Sequence, residues 1–188
     1  MLLALAVFAG CRAPTTTDID RNSYATLTIG GRVWLGANLR VTRDPNGGAL
    51  RTHAPNDDPS LSGQFGLLYD WSSAKRACMR GWHLPTDQDW ARLADVLGTR
   101  AGGTLKDKAG WRAPNVGATN RSRFAARGSG YWNGGQFDNM FGRVAVYWTA
   151  TAADTHFVWT RTLRSDDDSL HRLTQHPNYG FAVRCVQD

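Results

Sequence analysis

The chain has 188 residues, of which 41% are hydrophobic, and a formal net charge of +6. This length favours a single domain with a short tail, and the hydrophobic fraction is large enough to form a core. All 16 acidic residues are aspartates, so glutamate is excluded as a catalyst or metal ligand. The 22 basic residues are scattered rather than gathered in a tract, so we interpret them as a solvated surface and expect no nucleic-acid partner.

The first residues resemble the end of a bacterial lipoprotein signal peptide. An apolar run over 1–10 ends in two small residues before Cys11. The run is too short to cross a bilayer, which needs about 20 apolar residues. We therefore predict a signal peptide over 1–10, a membrane-anchoring lipid on Cys11 and a polar tether over 11–17. The protein would then be exported to the outer membrane or the cell surface. The alternative is an ordinary secretory signal with an incidental cysteine.

Residues 24–29 and 32–35 predict a β-hairpin. Both segments are β-prone, and Gly30-Gly31 between them supplies a two-residue turn. Residues 38–62 are rich in Pro, Asn, Asp and Gly and show no period, so we expect a long loop there.

Two helices are predicted next. The first covers 71–79, with Asp70 as its N-cap. The second begins after Thr86, where Asp89 completes a weak capping box, and it ends at Gly98. Its apolar residues recur at helical spacing: Trp90, Leu93, Ala94 and Leu97.

The second half of the chain combines loops with short strands. Residues 98–143 are irregular and glycine-rich, and the strands predicted after them cover 144–148, 155–163, 169–174 and 181–186. This order indicates an α+β fold, in which two early helices pack on short antiparallel strands connected by long loops. We expect the N-terminal and C-terminal strands to pair in one sheet.

Three separated segments, 29–39, 69–93 and 179–186, resemble the Fibrobacter succinogenes major paralogous domain family in the family's own order. The most specific stretch is Cys78-Met79-Arg80-Gly81-Trp82-His83-Leu84-Pro85-Thr86. The resemblance covers 18–188, which we treat as one domain. It implies a C-type-lectin-like fold, similar to the formylglycine-generating enzyme, and it is typical of exported, often lipid-anchored proteins.

The chain departs from the family at three positions. Arg21 and Arg123 stand where the family tends to have glycine, and Met79 stands where proline is frequent. If the two glycine positions require positive φ, each arginine costs about 1 kcal/mol.

The resemblance also implies a disulfide between Cys78 and Cys185, since both positions recur in the family. A bridge closing a loop of about 100 residues stabilises a fold by about 4–5 kcal/mol in the chain-entropy model. Export favours the bridge. The alternative is two buried free thiols.

A glycine-rich stretch over 130–139 is the best candidate for ligand binding. Aromatic faces stack on sugars and peptides, and amides hydrogen-bond them. The alternative is that the aromatic residues pack against the underside of the loop itself. The candidate binding residues are Tyr131, Trp132, Asn133, Gln136, Asp138 and Asn139.

Calcium is considered because the sugar-binding branch of the implied fold uses it. Residues 113–115 keep the Pro-Asn of that site without its carboxylate, and 132–134 lack its Asp. Calcium needs several oxygen ligands, usually with carboxylates among them, and these segments lack the carboxylates. We therefore expect no calcium or other cofactor at this place. Asp166, Asp167 and Asp168 are a weaker metal candidate, and we interpret them as a solvated turn because consecutive side chains diverge.

We expect a lipid-anchored binding, adhesion or display module without catalytic activity. Its partners would be the membrane, through Cys11, and a glycan or a surface protein bound by loops within 110–141 and 151–177. The sequence leaves the ligand and the oligomeric state open. One alternative is a structural component of the cell surface.

The other alternative is an enzyme with a divergent Asp/His site. No Gly-x-Ser-x-Gly elbow is present. The formylglycine-generating relative needs a cysteine pair in its C-terminal part, where this chain has only Cys185. His83 has no cysteine or second histidine nearby, so we interpret it as structural.

Overall fold

Two β-sheets and four short helices form the part of the chain that the structure describes. The computed structural model describes residues 14–188, so Cys11 and the predicted signal peptide lie outside the described residues. The strands are β1 (Thr15–Thr17), β2 (Ser23–Ile29), β3 (Arg32–Leu35), β4 (Thr52–His53), β5 (Leu68–Tyr69), β6 (Trp82–His83), β7 (Val144–Ala152), β8 (Val158–Arg164), β9 (His171–Gln175), β10 (Phe181–Ala182) and β11 (Val186–Gln187). The helices are α1 (Ser62–Phe65), α2 (Trp71–Ala77), α3 (Asp87–Leu97) and α4 (Ala101–Leu105).

The first sheet has the strand order β1-β2-β3-β11-β6. The predicted hairpin is confirmed, because Leu27 of β2 pairs with Trp34 of β3. Strand β11 lies between β3 and β6, with Val186 opposite both Trp34 and His83. The expected pairing of N-terminal and C-terminal strands is therefore confirmed.

Strand β1 brings part of the assigned tether into the folded domain. Thr15 pairs with Ala25 of β2. The backbone N–H of Thr26 donates to the carbonyl of Pro14 at 2.8 Å. The polar composition of 11–17 predicts a tether, but threonine is β-prone and the edge of β2 accepts a further strand. Residues 15–17 are consequently part of the first sheet.

The second sheet is mixed, with the order β4-β5-β10-β7-β8-β9. Strand β10 runs antiparallel to β5 and parallel to β7. The prediction of one strand over 181–186 is wrong, because β10 and β11 belong to different sheets and residues 183–185 cross between them. Strand β8 begins at Val158 rather than at 155, since the Asp154 carboxylate accepts from the backbone of His156 and Phe157 and closes a turn.

Both predicted helices are confirmed. The Asp70 carboxylate accepts from the Ser73 backbone at 2.7 Å and caps α2, which ends at Ala77 because Cys78 has an extended backbone. Helix α3 has both halves of the capping box between Thr86 and Asp89.

Helix α4 was not predicted, since its sequence contains Gly102 and Gly103 and has low helix propensity. A Cβ at Gly102 would clash with the carbonyl oxygen of Ser169. The close approach of this helix to 168–169 requires glycine, and tertiary packing overrides the local preference.

Strand β7 contributes residues to both hydrophobic clusters of the core. Val146 and Trp148 belong to one cluster, and Ala145 and Tyr147 belong to the other. Because side chains of a strand point alternately to opposite faces, the second sheet is covered on both sides. The second cluster contains packed rings of Trp34, Trp90, Phe124 and Tyr147.

The implied disulfide is confirmed. Cys78 and Cys185 are bonded, with their Cα atoms 5.8 Å apart. Cys78 follows α2, and Cys185 lies in the crossing between the two sheets. The bridge therefore fastens the helix to the segment that joins the sheets.

Arg184 is a buried cation within the same crossing, with 1% of its surface exposed. Its Nε donates to the Asn38 side chain at 2.7 Å, and one terminal nitrogen donates to the carbonyls of Leu35 (2.9 Å) and Phe124 (2.7 Å). The guanidinium lies 4.1 Å from the ring centre of Phe124. Desolvation lowers the pKa of Arg184 to about 10, so the side chain stays charged at neutral pH.

Replacing Arg184 with methionine should destabilise the protein by about 3–5 kcal/mol, because several buried oxygens would lose their donor. Urea unfolding of wild type and R184M measures this loss. Exposed Arg112 is the matched control, and R112M should change the unfolding free energy by no more than about 0.5 kcal/mol. A loss below about 1 kcal/mol for R184M would show that the buried carbonyls find other donors.

The expected strain at the two arginine positions is present, since Arg21 has φ of 65° and Arg123 has φ of 61°. Both side chains are exposed. Arg123→Gly should therefore raise the unfolding free energy by about 1 kcal/mol. Arg121 has no positive φ, so Arg121→Gly should lower it by about 0.5–1 kcal/mol through chain entropy. Equal effects of the two substitutions would contradict the strain argument.

Candidate functional site

The stretch 131–139 is a loop fixed to the start of β10. Trp132 and Gly180 exchange two backbone hydrogen bonds, of 3.1 and 2.8 Å. Within the loop, Trp132 also bridges to Phe137. The loop is therefore attached to the second sheet at one side and closed on itself at the other.

Three of the six candidate binding residues bond to one another. The Tyr131 hydroxyl donates to Asp138 at 2.6 Å, and the Asn133 amide donates to the other oxygen of Asp138 at 3.0 Å. Desolvation and the nearby Asp138 carboxylate raise the pKa of Tyr131 to about 12. The Asn133 oxygen accepts from the backbone of Gly135 and Gln136. These groups hold the loop in shape, and both Asp138 oxygens are engaged.

Trp132 stacks on a histidine that the sequence did not single out. The rings of Trp132 and His53 are 4.1 Å apart at 14°. The Arg51 guanidinium lies 5.3 Å from the Trp132 ring centre. Desolvation lowers the pKa of His53, and the charge of Arg51 lowers it further. His53 is therefore a neutral aromatic partner at neutral pH.

The sequence reasoning missed Arg51 and His53 because both belong to a stretch without a period. Their placement depends on β4, which pairs with β5 and so comes beside the loop through β10. His-Trp stacking leaves no spacing signal in a single sequence, so only the tertiary structure reveals this pair.

Gln136 and Asn139 are the exposed polar residues of the loop. Asn139 accepts one long hydrogen bond of 3.4 Å from Arg112. The remaining candidate residues are half-buried, and Tyr131 packs edge-on against Phe181. The loop thus combines internally hydrogen-bonded residues with two exposed amides, and these amides can hydrogen-bond a polar ligand.

The three consecutive aspartates turn to different partners. Asp166 pairs with Arg164, Asp167 with His171, and Asp168 with Arg100. Hydrogen bonds from Arg164 lower the pKa of Asp166 to about 2. Within 14–188, no three His, Cys or Asp side chains converge so as to hold a metal ion.

His83 connects the end of β6 with the C-terminal residue and with α3. Its Nδ1 lies 2.6 Å from the Asp188 carboxylate, and its Nε2 lies 3.5 Å from Asp89. Asp89 also accepts two hydrogen bonds from Thr86. This arrangement joins β6 to the start of α3 and fits a structural role.

The described chain is thus an α+β domain with one antiparallel and one mixed sheet, few short helices and one disulfide bridge. The family model for the Fibrobacter succinogenes major domain matches residues 27–187 of the sequence. The chain therefore belongs to that family. No curated protein and no solved structure matches the chain. Among the described residues, no helix has the length and apolar character needed to cross a membrane.

Acid should weaken the start of α3. Burial raises the pKa of Asp89, but hydrogen bonds from Thr86 and His83 and the charge of Arg32 outweigh it and hold the pKa below its usual value. The stabilisation is therefore complete above the unfolded-state pKa of about 3.9 and is lost as the pH falls through the lower folded-state value.

At pH 6, Asp89→Asn should lower the unfolding free energy by about 1 kcal/mol, and the difference from wild type should shrink below pH 3. Chemical unfolding at several pH values measures this difference. Asp95→Asn, an exposed change on the same helix, is the control and should have little effect at any pH. A difference that does not depend on pH would rule out the charged cap as the cause.

Proposed function

We propose that the chain is an exported, lipid-anchored binding module of C-type-lectin-like fold that does not catalyse a reaction. The disulfide between Cys78 and Cys185 supports export, because such bridges persist in oxidising compartments. The apolar run before Cys11 supports lipidation, which would attach the module to the outer membrane or the cell surface.

The lectin-like assignment rests on the way the sheets are closed. Strand β11 pairs with β3, so the first and last parts of the described chain share one sheet. Helices α2 and α3 come early and contact β7 of the second sheet. A long irregular connection, 106–143, joins α4 to β7. These features agree with the fold that the family resemblance implies.

The observation that carries the binding proposal is the prearranged loop at 131–139. Its backbone is tied to Gly180, and Asp138 holds Tyr131 and Asn133 in place. A loop that is ordered before binding loses little conformational entropy when a ligand arrives. Gln136 and Asn139 are exposed in the same loop, in which Trp132 is half-buried. Exposed amides and an aromatic group in one loop suit a glycan or a polar peptide on a surface protein.

The first experiment is a screen of the chain against an array of glycans and cell-wall polymers, with calcium and with a chelator. Cys11→Ser keeps the protein in solution for this purpose. Binding should be insensitive to the chelator and weaker by about tenfold in Gln136→Ala/Asn139→Ala, since the two exposed amides supply direct hydrogen bonds. The matched control is Gln88→Ala, an exposed glutamine on α3.

Each other outcome changes the proposal in a specific way. Binding that requires calcium would implicate carboxylates such as those of 166–168. Binding that survives the two amide substitutions would move the site away from the loop. Failure to bind any array member would favour a protein partner or a structural role at the surface.

A further inference from the structure

The edge strand β1 and its bonds to β2 fix the position of Pro14, the first residue that the structure describes. The backbone N–H and the hydroxyl of Thr26 both donate to the carbonyl of Pro14, at 2.8 and 3.2 Å. Thr15, Thr16 and Thr17 then pair with β2. Pro14 is consequently bonded to the first sheet and cannot move separately from it.

Only two residues, Arg12 and Ala13, separate Cys11 from Pro14. The three residue steps from Cys11 to Pro14 can span at most about 11 Å. A headgroup layer of a bilayer is about 6 Å thick. A lipid on Cys11 would therefore leave Pro14 within about 5 Å of the membrane surface, whereas a folded chain of this length has a radius of gyration of about 16 Å.

We propose that the β1 edge of the first sheet is a membrane-contact surface, held on the lipid headgroups by this short tether. The inference rests on the proposed lipidation of Cys11 and adds an orientation to it. The domain would lie on the bilayer with one defined side rather than swing on a flexible stalk.

The chemistry of this edge suits anionic headgroups. Pro14 and Arg123 line a common hollow of about 630 Å³, together with Leu27 and Val33. Arg21 is exposed in the turn that follows β1. Within the described part of the chain, neither arginine has a carboxylate within ion-pair distance. Arg12 adds a third positive charge to the tether.

The opposite end of β1 adds an apolar contact. Ile19 is 39% exposed, one of few large hydrophobic side chains at the surface of the described residues. It lines a second hollow, of about 310 Å³, beside Met79 and Arg80. Each arginine near an anionic surface strengthens attachment about fivefold, and an exposed isoleucine can enter the headgroup layer. The short tether favours a membrane as the partner of this surface, because a lipid on Cys11 would bring the bilayer to this edge before any other partner.

The experiment uses the lipidated chain in vesicles of phosphatidylethanolamine and phosphatidylglycerol. Backbone hydrogen exchange is compared with that of soluble Cys11→Ser. Peptides covering 14–22 and 120–124 should exchange about tenfold more slowly on the vesicles, while β9 should not change. A Gly-Ser linker of about ten residues inserted between Ala13 and Pro14 should abolish most of this protection, since it allows the domain to leave the surface.

Charge is tested separately from tether length. Arg21→Gln/Arg123→Gln should reduce the protection severalfold in these vesicles. Arg112→Gln/Arg143→Gln removes the same charge from residues that line neither hollow, and it should leave the protection intact. Equal effects of the two pairs would overturn the headgroup contact.

Mass spectrometry of the N-terminal peptide separates the two proposals. An unmodified Cys11 would overturn the anchoring and the orientation together. A lipidated Cys11 with no slowing at the β1 edge would leave the anchor in place and overturn the orientation alone. Slower hydrogen exchange at the β1 edge of soluble Cys11→Ser at high protein concentration would identify a second copy of the chain as the partner of this surface. That result would also overturn the proposed orientation.

Discussion

The structure depends on a positive charge that is buried without a carboxylate. Arg184 is compensated by the side-chain oxygen of Asn38 and by backbone carbonyls from β3 and from 124–125. Such an arrangement is stable only when every donor finds an oxygen, so it fixes the relative positions of three remote segments. Asn38 in turn donates to the carbonyl of Phe65, which brings α1 into the same network. Buried Lys106 follows the same rule, with bonds to the carbonyls of Arg164 and Asp167.

The turn around Phe124 shows what this constraint requires locally. Asn120, Arg123 and Ala125 all have positive φ, a conformation that L-residues rarely adopt. The turn places the Phe124 ring among the buried aromatics and aims its carbonyl at Arg184. The backbone strain of this turn persists because burial of the Phe124 ring and hydrogen bonding of the Arg184 guanidinium stabilise the fold by more than the strain costs.

Local signals were sufficient for the hairpin and for helices α2 and α3, because glycines, caps and helical spacing all act within a few residues. The sequence did not predict α4, where packing against 168–169 overrides the poor helix propensity of glycine. It also joined β10 and β11 into one strand, since an apolar run does not show which sheet each half enters. For the candidate site, the loop over 131–139 was found from its composition. Its stacking on His53 was not, because that contact depends on the pairing of β4, β5 and β10.

The segment 181–187 completes both sheets, and this has a consequence for how the chain acquires its structure. Strand β10 inserts between β5 and β7, and β11 inserts between β3 and β6. Every partner of these strands is synthesised earlier, so each sheet lacks one inner strand until residues 181–187 are synthesised. Contacts so distant in sequence make folding slow. The two sheets can therefore be completed only after residues 181–187 have been synthesised, because until then β3 and β6, and likewise β5 and β7, lack the strand that pairs with both.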